Sequence, residues 1–314
     1  MFVIKKETFG PYERYVLLNQ ETQEYVSVIP SFGGHMNELI LKENGVLYSI
    51  IDGAKTIEEL IANPYYKSAK LIPFPNRIKD GKYVFKGKTY QLPINHLAEN
   101  HAIHGLLYNK PFIVKKMENN DSSALLNLEY SYNSELEGYP FSFLLQLEYS
   151  LTISGLKIKT SVINQGNSEM PIADGWHPYF TFQETVNNLS LLIPGSKKIE
   201  VDNRMIPAGN KTEIEIFNKL SKIDDRAFDT TYLIDTENTA TTQLYSSKKN
   251  VSIHVWQETG LHKYNYVQIY IPPDRTTVAI EPMTSIADAF NHGEGLIILK
   301  PGDVYINNCG VYLS

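Results

Sequence analysis

One cysteine, Cys309, stands in a chain of 314 residues, so no disulfide closes within the chain and no Cys-based zinc or iron-sulfur centre can be assembled from it. A reducing compartment is expected. No window approaches the ~18 uninterrupted apolar residues of a membrane helix. Met1-Phe-Val-Ile-Lys-Lys-Glu7 carries charge where a signal peptide needs its apolar stretch, which predicts a cytoplasmic protein with no membrane partner. A basic excess is missing too. The balance of 29 Lys and Arg against 35 Asp and Glu gives a net charge of -6, which argues against nucleic acid as the main partner and for a neutral or cationic ligand. No segment shifts to linker composition, and no repeat recurs at a period of ~20–50 residues. The 42% hydrophobic and 20% charged residues are those of a packed globular protein, and disordered, collagenous and coiled-coil readings drop out.

Helical spacing is equally scarce, and a period of two fills its place. Leu145, Leu147, Tyr149, Leu151 and Ile153 alternate with polar residues; after a turn at Ser154-Gly155, Leu156, Ile158, Thr160 and Val162 do the same. This predicts a long hairpin with one buried face. The same style suggests pairing of Tyr15–Leu18 with Tyr25–Ile29, Glu38–Leu41 with Val46–Ile51, and Lys82–Phe85 with Thr89–Leu92. Later it suggests Gln243–Ser246 with Val251–Trp256, Tyr266–Ile271 with Thr277–Glu281, and Leu296–Leu299 with Val304–Ile306 across Lys300-Pro-Gly-Asp303. The polar stretch Thr236–Thr242 reads as a surface loop. One short helix is expected over Thr56–Ala62, where a threonine cap and first-turn glutamates precede Asn63-Pro64. The fold class is therefore all-β, a large antiparallel β-sandwich with one or two short helices. Length alone, at ~150 residues per domain, suggests two domains, but hairpin-connected strands throughout favour a single domain over residues 1–314.

Five places carry groups suited to chemistry. His96, His101 and His104 lie within one stretch of weak periodicity; a joint metal site and hydrogen-bonded loop histidines are both readings, with a ligand-binding imidazole on His104 as the sharper one. His177, between Trp176 and Pro178-Tyr179, is held on stiff extended chain because it precedes proline; it reads equally as a core histidine. Glu281 shares a strand face with Thr277 and the small Ala279, which leaves room beside a carboxylate that can act as a general base, or is a solvated edge charge. Asn76 and Arg77 follow two prolines in Ile72-Pro-Phe-Pro-Asn-Arg77, and the guanidinium suits polyols or carboxylates. Asp229 precedes a short apolar stretch and reads first as a turn residue.

In this order, Pro-Asn-Arg, His-Gly, His-Pro-Tyr-Phe, Phe-Asp-x-x-Tyr and Glu-Pro-Met-Thr, the motifs resemble those of the aldose 1-epimerase (galactose mutarotase) family, over roughly residues 70 to 310. His177-Pro-Tyr-Phe180 and Glu281-Pro-Met-Thr284 are the specific parts. The resemblance implies a galactose mutarotase-like sandwich whose concave sheet forms an open sugar cleft, a small-molecule sugar as partner, and acid–base chemistry without cofactor or metal, in a monomer or homodimer. It implies Glu281 as general base, His177 as general acid, Arg77, His104 and Asn76 as substrate-binding groups, and Asp229 as a partner to a sugar hydroxyl. Better-known members have two glycines after the first histidine and an asparagine before the second, where this chain has His104-Gly105-Leu106 and Trp176-His177. That leaves the preferred sugar open.

Converting one anomer to the other takes a proton from the C1 hydroxyl and gives one to the ring oxygen. A glutamate with an ordinary pKa of about 4.3 begins ionised, and a histidine near about 6.5 is held protonated by a neighbouring carboxylate. Trp176, Tyr179 or Trp256 can stack on the sugar, although core packing is the ordinary role of each. The alternatives are a hexose-6-phosphate mutarotase using Lys67, Lys70 and Arg77, a non-catalytic carbohydrate-binding protein, and a glycoside hydrolase using Asp229 with Glu281.

Overall fold

The structure, a computed structural model, describes residues 1–314. Every paired strand is antiparallel, as expected for an all-β chain built from hairpins. The N-terminal strands Phe2–Phe9, Tyr12–Asn19, Tyr25–Ile29, His35–Glu43 and Val46–Ser49 form a five-stranded meander in sequence order. A nine-stranded sheet contains the central hairpin Phe143–Thr152 with Gly155–Asn164, and an eight-stranded sheet contains Asp229–Leu233, Tyr266–Tyr270, Val278–Met283 and Gly175–His177. Leu145, Leu147 and Tyr149 of the nine-stranded sheet share one buried cluster with Val267, Ile269, Val278 and Ile280 of the eight-stranded sheet. These inward faces make the sandwich core, and the alternate residues of the eight-stranded sheet turn outward to the candidate site.

Two helices are present, Ile57–Ala62 and Ala289–His292. The first starts where the sequence predicts: the Thr56 hydroxyl accepts from the Glu59 amide, with Glu58 and Glu59 in the first turn. Neither is long and apolar enough to cross a membrane.

Three local expectations are corrected. The turn of the central hairpin is Ile153-Ser154, because Thr152 pairs with Gly155; Ile153 is consequently exposed rather than the last core residue. Leu296–Leu299 and Val304–Ile306 do not form a hairpin. Ile297–Leu299 pairs with Met170–Ile172, and Val304–Leu313 runs between Gly155–Asn164 and Val251–Thr259. The Pro-Gly turn redirects the chain from one sheet to another, a choice made by long-range packing. Finally, Thr239–Thr242 belongs to the strand Asn238–Ser246, with Ala240 and Thr242 buried. The stretch is polar but still alternates, and its inward residues are small enough to pack.

Candidate active site

The backbone ladder brings His177 and Glu281 together. Gly175 pairs with Met283 and Tyr179 with Ala279, which brackets His177 opposite Glu281 on the adjacent strand. Residues directly opposite on one face have close side chains. Nε2 of His177 lies 3.3 Å from Oε1 of Glu281. Both are buried, at 6% and 2% side-chain exposure, and the second carboxylate oxygen Oε2 has no protein partner. Nδ1 of His177 and Nδ1 of His104 are likewise buried and unpartnered. Buried polar atoms are normally satisfied, so three orphans on one cleft mark where a polar ligand completes the hydrogen bonding.

Ala279 leaves space beside Glu281, as its size predicts, and that space is walled by aromatics. Tyr179 and Tyr270 are its ladder partners on either side, with ring centroids 6.4 Å apart at 87°. Tyr179 also stacks on His177 at 5.0 Å. The resulting open cleft of about 570 Å³ is lined by Asn76, Arg77, His104, His177, Asp229 and Glu281, the six residues that the motifs single out.

Arg77 opens the short strand Arg77–Lys79, which pairs with His101–Ile103. That pairing places Arg77 beside the His104 turn. Asn76 and His104 both have left-handed backbones, with φ of 56° and 62°, and the His104 amide donates to the Asn76 carbonyl at 3.1 Å. Asparagine tolerates this conformation; histidine adopts it less readily, and its occurrence here is of the kind that concentrates at functional sites. The Asn76 Oδ1 accepts from Nη1 of Arg77 at 3.1 Å, so Asn76 aims the guanidinium. The His104 ring packs edge-on against His177 at 5.0 Å.

Asp229 begins the strand Asp229–Leu233 rather than sitting in a turn. It accepts from Nε2 of Gln268 and lies 3.7 Å from Nη2 of Arg77. Gln268, which faces Glu281 across the ladder, was not among the predicted residues. A polar side chain between Val267 and Ile269 in an apolar strand was the available signal. Glu99, which accepts from Nε of Arg77 at 2.8 Å, gave none, because its segment has no periodicity.

The three clustered histidines diverge. The His101 ring accepts from the Asp80 amide at 3.1 Å and contacts the Arg204 carbonyl at 3.1 Å, whereas His96 faces Glu99 and His104 faces His177. They do not converge on a common metal. Of the stacking candidates, Tyr179 lines the cleft. Trp176 joins the core instead, and the Trp256 indole lies against Gly310. Lys67 pairs with Asp52, and Lys70 is sealed beneath the site with Asp174. Neither lysine reaches the cleft. Asp174 Oδ2 also accepts from Tyr264 at 2.7 Å and Tyr305 at 3.1 Å. The Lys70 strand pairs with the His177 strand, Lys70 opposite Trp176.

Burial decides the resting protonation. Desolvation lifts the Glu281 carboxyl well above its usual range, with the neighbouring Asp229 adding to the effect and Arg77 opposing it. Burial also pulls the His177 imidazole down to about 3. Burial thus pushes both groups toward their neutral forms, the opposite direction from the expected resting carboxylate beside an imidazolium. Desolvation lowers His104 as well, and the adjacent His177 and Arg77 lower it further. At neutral pH His104 is an uncharged imidazole with a free ring nitrogen.

The sequence model of the family described as Aldose 1-epimerase matches residues 15–311. The uncharacterized protein YihR of Escherichia coli K12 is 30% identical over 247 residues, which is 74% of this chain and 74% of YihR. A galactose mutarotase-like protein from Clostridium acetobutylicum superposes with a TM-score of 0.88 at 24% identity, over 100% of this chain and 98% of its own. A galactose 1-epimerase from Lactobacillus acidophilus NCFM gives 0.83 at 15% identity, over 100% and 98%. At these identities the two solved structures bear on the fold.

Proposed function

Because the chain belongs to the aldose 1-epimerase family, we propose that it is a mutarotase that interconverts the α and β anomers of a free aldohexose, with Glu281 as general base and His177 as general acid. The observation that supports this reading most is the buried 3.3 Å approach of the two groups, with Glu281 Oε2 left free at an open cleft.

The pair carries one proton whether it rests on the carboxyl or on the imidazole. Transfer from Glu281 to His177 creates the carboxylate and imidazolium without changing the net charge. Hydrogen bonds from sugar hydroxyls to the carboxylate, together with the Arg77 charge, favour that form. Glu281 then takes the C1 hydroxyl proton while His177 protonates the ring oxygen. The C1–O5 bond breaks and gives the open-chain aldehyde. Rotation about C1–C2 presents the other carbonyl face, the O5 hydroxyl attacks it and returns its proton to His177, and O1 recovers a proton from Glu281. Such acid–base assistance supplies about 10²–10⁴ in rate, with orientation adding to it. Arg77, held by Asn76, donates to sugar oxygens, the neutral His104 makes a single hydrogen bond, and Asp229 accepts from a hydroxyl. No step calls on a metal or cofactor. We also read residues 1–314 as one domain, a reading supported by the presence of Phe2 and Val311 in the same buried cluster.

A binding-only role is disfavoured by energetics. Two ionisable groups buried against each other weaken the fold, a cost that binding alone gives no reason to keep. The phosphorylated-sugar alternative loses its lysines to Asp52 and Asp174. Polarimetry on fresh α-D-glucose, α-D-galactose and glucose 6-phosphate tests the proposal: accelerated equilibration of a free aldose is expected, and no acceleration of any aldose would contradict it.

A further inference from the structure

Three carboxyl side chains and one guanidinium line the cleft: Glu99, Asp229 and Glu281 against Arg77, with no lysine. Glu99 takes no part in the proton transfers above. Its Oε2 accepts from Nε of Arg77 at 2.8 Å and lies 3.5 Å from Nε2 of His96. With 27% of its side chain exposed, Glu99 acts on Arg77 and on whatever enters the cleft. Its backbone is anchored as well, since the Glu99 carbonyl accepts from Nη2 of Arg204 at 2.9 Å and Arg204 pairs with Asp80.

Every nitrogen of Arg77 faces an acceptor. Nε is taken by Glu99, Nη1 donates to Asn76 Oδ1 at 3.1 Å, and Nη2 is 3.7 Å from Asp229. The remaining N–H groups suffice for single hydrogen bonds to hydroxyls. They do not present the uncompensated, two-pronged cation that binds a carboxylate or phosphate. An anion entering the cleft would meet an arginine already compensated by Glu99 and Asp229, the repulsive half of a specificity device.

We propose that Glu99 is the specificity-determining residue of this cleft, neutralising Arg77 so that uncharged aldoses are accepted and sugar acids and sugar phosphates are rejected. The inference rests on the mutarotase reading of the same site. Glu99→Gln keeps the side chain's shape and its acceptor for Arg77 while removing the charge, and Glu99→Asp keeps the charge.

The test compares kcat/KM for D-galactose and D-galacturonate, measured as anomeric exchange by NMR, in the wild type and both variants. The wild type should prefer the neutral sugar by at least about tenfold, Glu99→Gln should narrow that ratio by about tenfold through the KM of the anion, and Glu99→Asp should retain it. An unchanged ratio in Glu99→Gln overturns the proposal, including the case where both sugars lose rate equally, which is what a merely structural role gives. Should Glu99→Gln fail to fold, a salt series on the wild type decides: rising ionic strength should lower KM for galacturonate and leave galactose unaffected, and a flat response for both overturns the proposal. Wild type that turns over galacturonate as well as galactose overturns the role of Glu99 and leaves the mutarotase reading standing. Wild type inactive on every aldose overturns both.

Discussion

Nε2 of His177 and Oε1 of Glu281 lie 3.3 Å apart across two adjacent strands, both buried. Burial pushes both groups toward their neutral forms, and in the proposed reaction the pair passes a single proton between them. Stability and chemistry therefore pull in opposite directions at this contact.

Glu281→Gln should make the protein more stable at neutral pH. A carboxyl whose native pKa is raised by burial binds its proton more tightly when folded than when unfolded. Its contribution is intact below the unfolded value of about 4.5 and is lost as pH rises toward the native one. Removing the ionisable group removes that loss. Calorimetry at pH 7 should show Tm higher by about 2–5 °C, with the gain vanishing at pH 4.

The pH profile follows from the same proton. A second proton must enter on His177, whose imidazole is pulled down to about 3, so the acid limb lies far below the ordinary histidine range. The alkaline limb, loss of the proton from Glu281, lies above the ordinary glutamate range. Accordingly kcat/KM should not fall as pH is lowered from 6.5 to 5, and a fall centred near about 6.5 would show a histidine titrating with its usual pKa.

Lys70→Met should cost far more than a surface substitution. It strands Asp174 in the interior with only tyrosine hydroxyls and no cation. Breaking one side of a buried pair costs about 3–5 kcal/mol, readable as a lowered midpoint in urea. Because the Lys70 strand pairs with that of His177, activity per folded molecule should fall too.

Gly105→Ala should raise KM while destabilising the fold. Gly105 has φ of 74°, and an added Cβ would sit 2.3 Å from the Ile72 carbonyl oxygen. The backbone must move, and His104 with it. A cost of about 1–3 kcal/mol is expected, together with weaker sugar binding by titration.

What the sequence made legible was what short-range pattern encodes. The hairpin of Phe143–Thr152 with Gly155–Asn164 announces itself by alternation, and its inward residues are those buried in the core. The helix at Ile57–Ala62 is carried by its own cap. The six site residues named from motifs all reach one cleft. Contacts made between distant segments were hidden. Ile297–Leu299 chose Met170–Ile172 over its neighbour in sequence, and Glu99 meets Arg77 only because the segment between them folds back on the rim. The direction in which burial pushes His177 and Glu281 was hidden for the same reason, since packing by several strands sets it.

The central claim is tested most directly by anomeric exchange of α-D-galactose, followed by NMR with wild type and Glu281→Gln at equal concentration, alongside sugar binding by each. Wild type should accelerate exchange, and Glu281→Gln should bind the sugar yet exchange it at least about 10²-fold more slowly. Undiminished exchange by a folded Glu281→Gln would contradict the assignment of the base and, with it, the shared-proton account of this site.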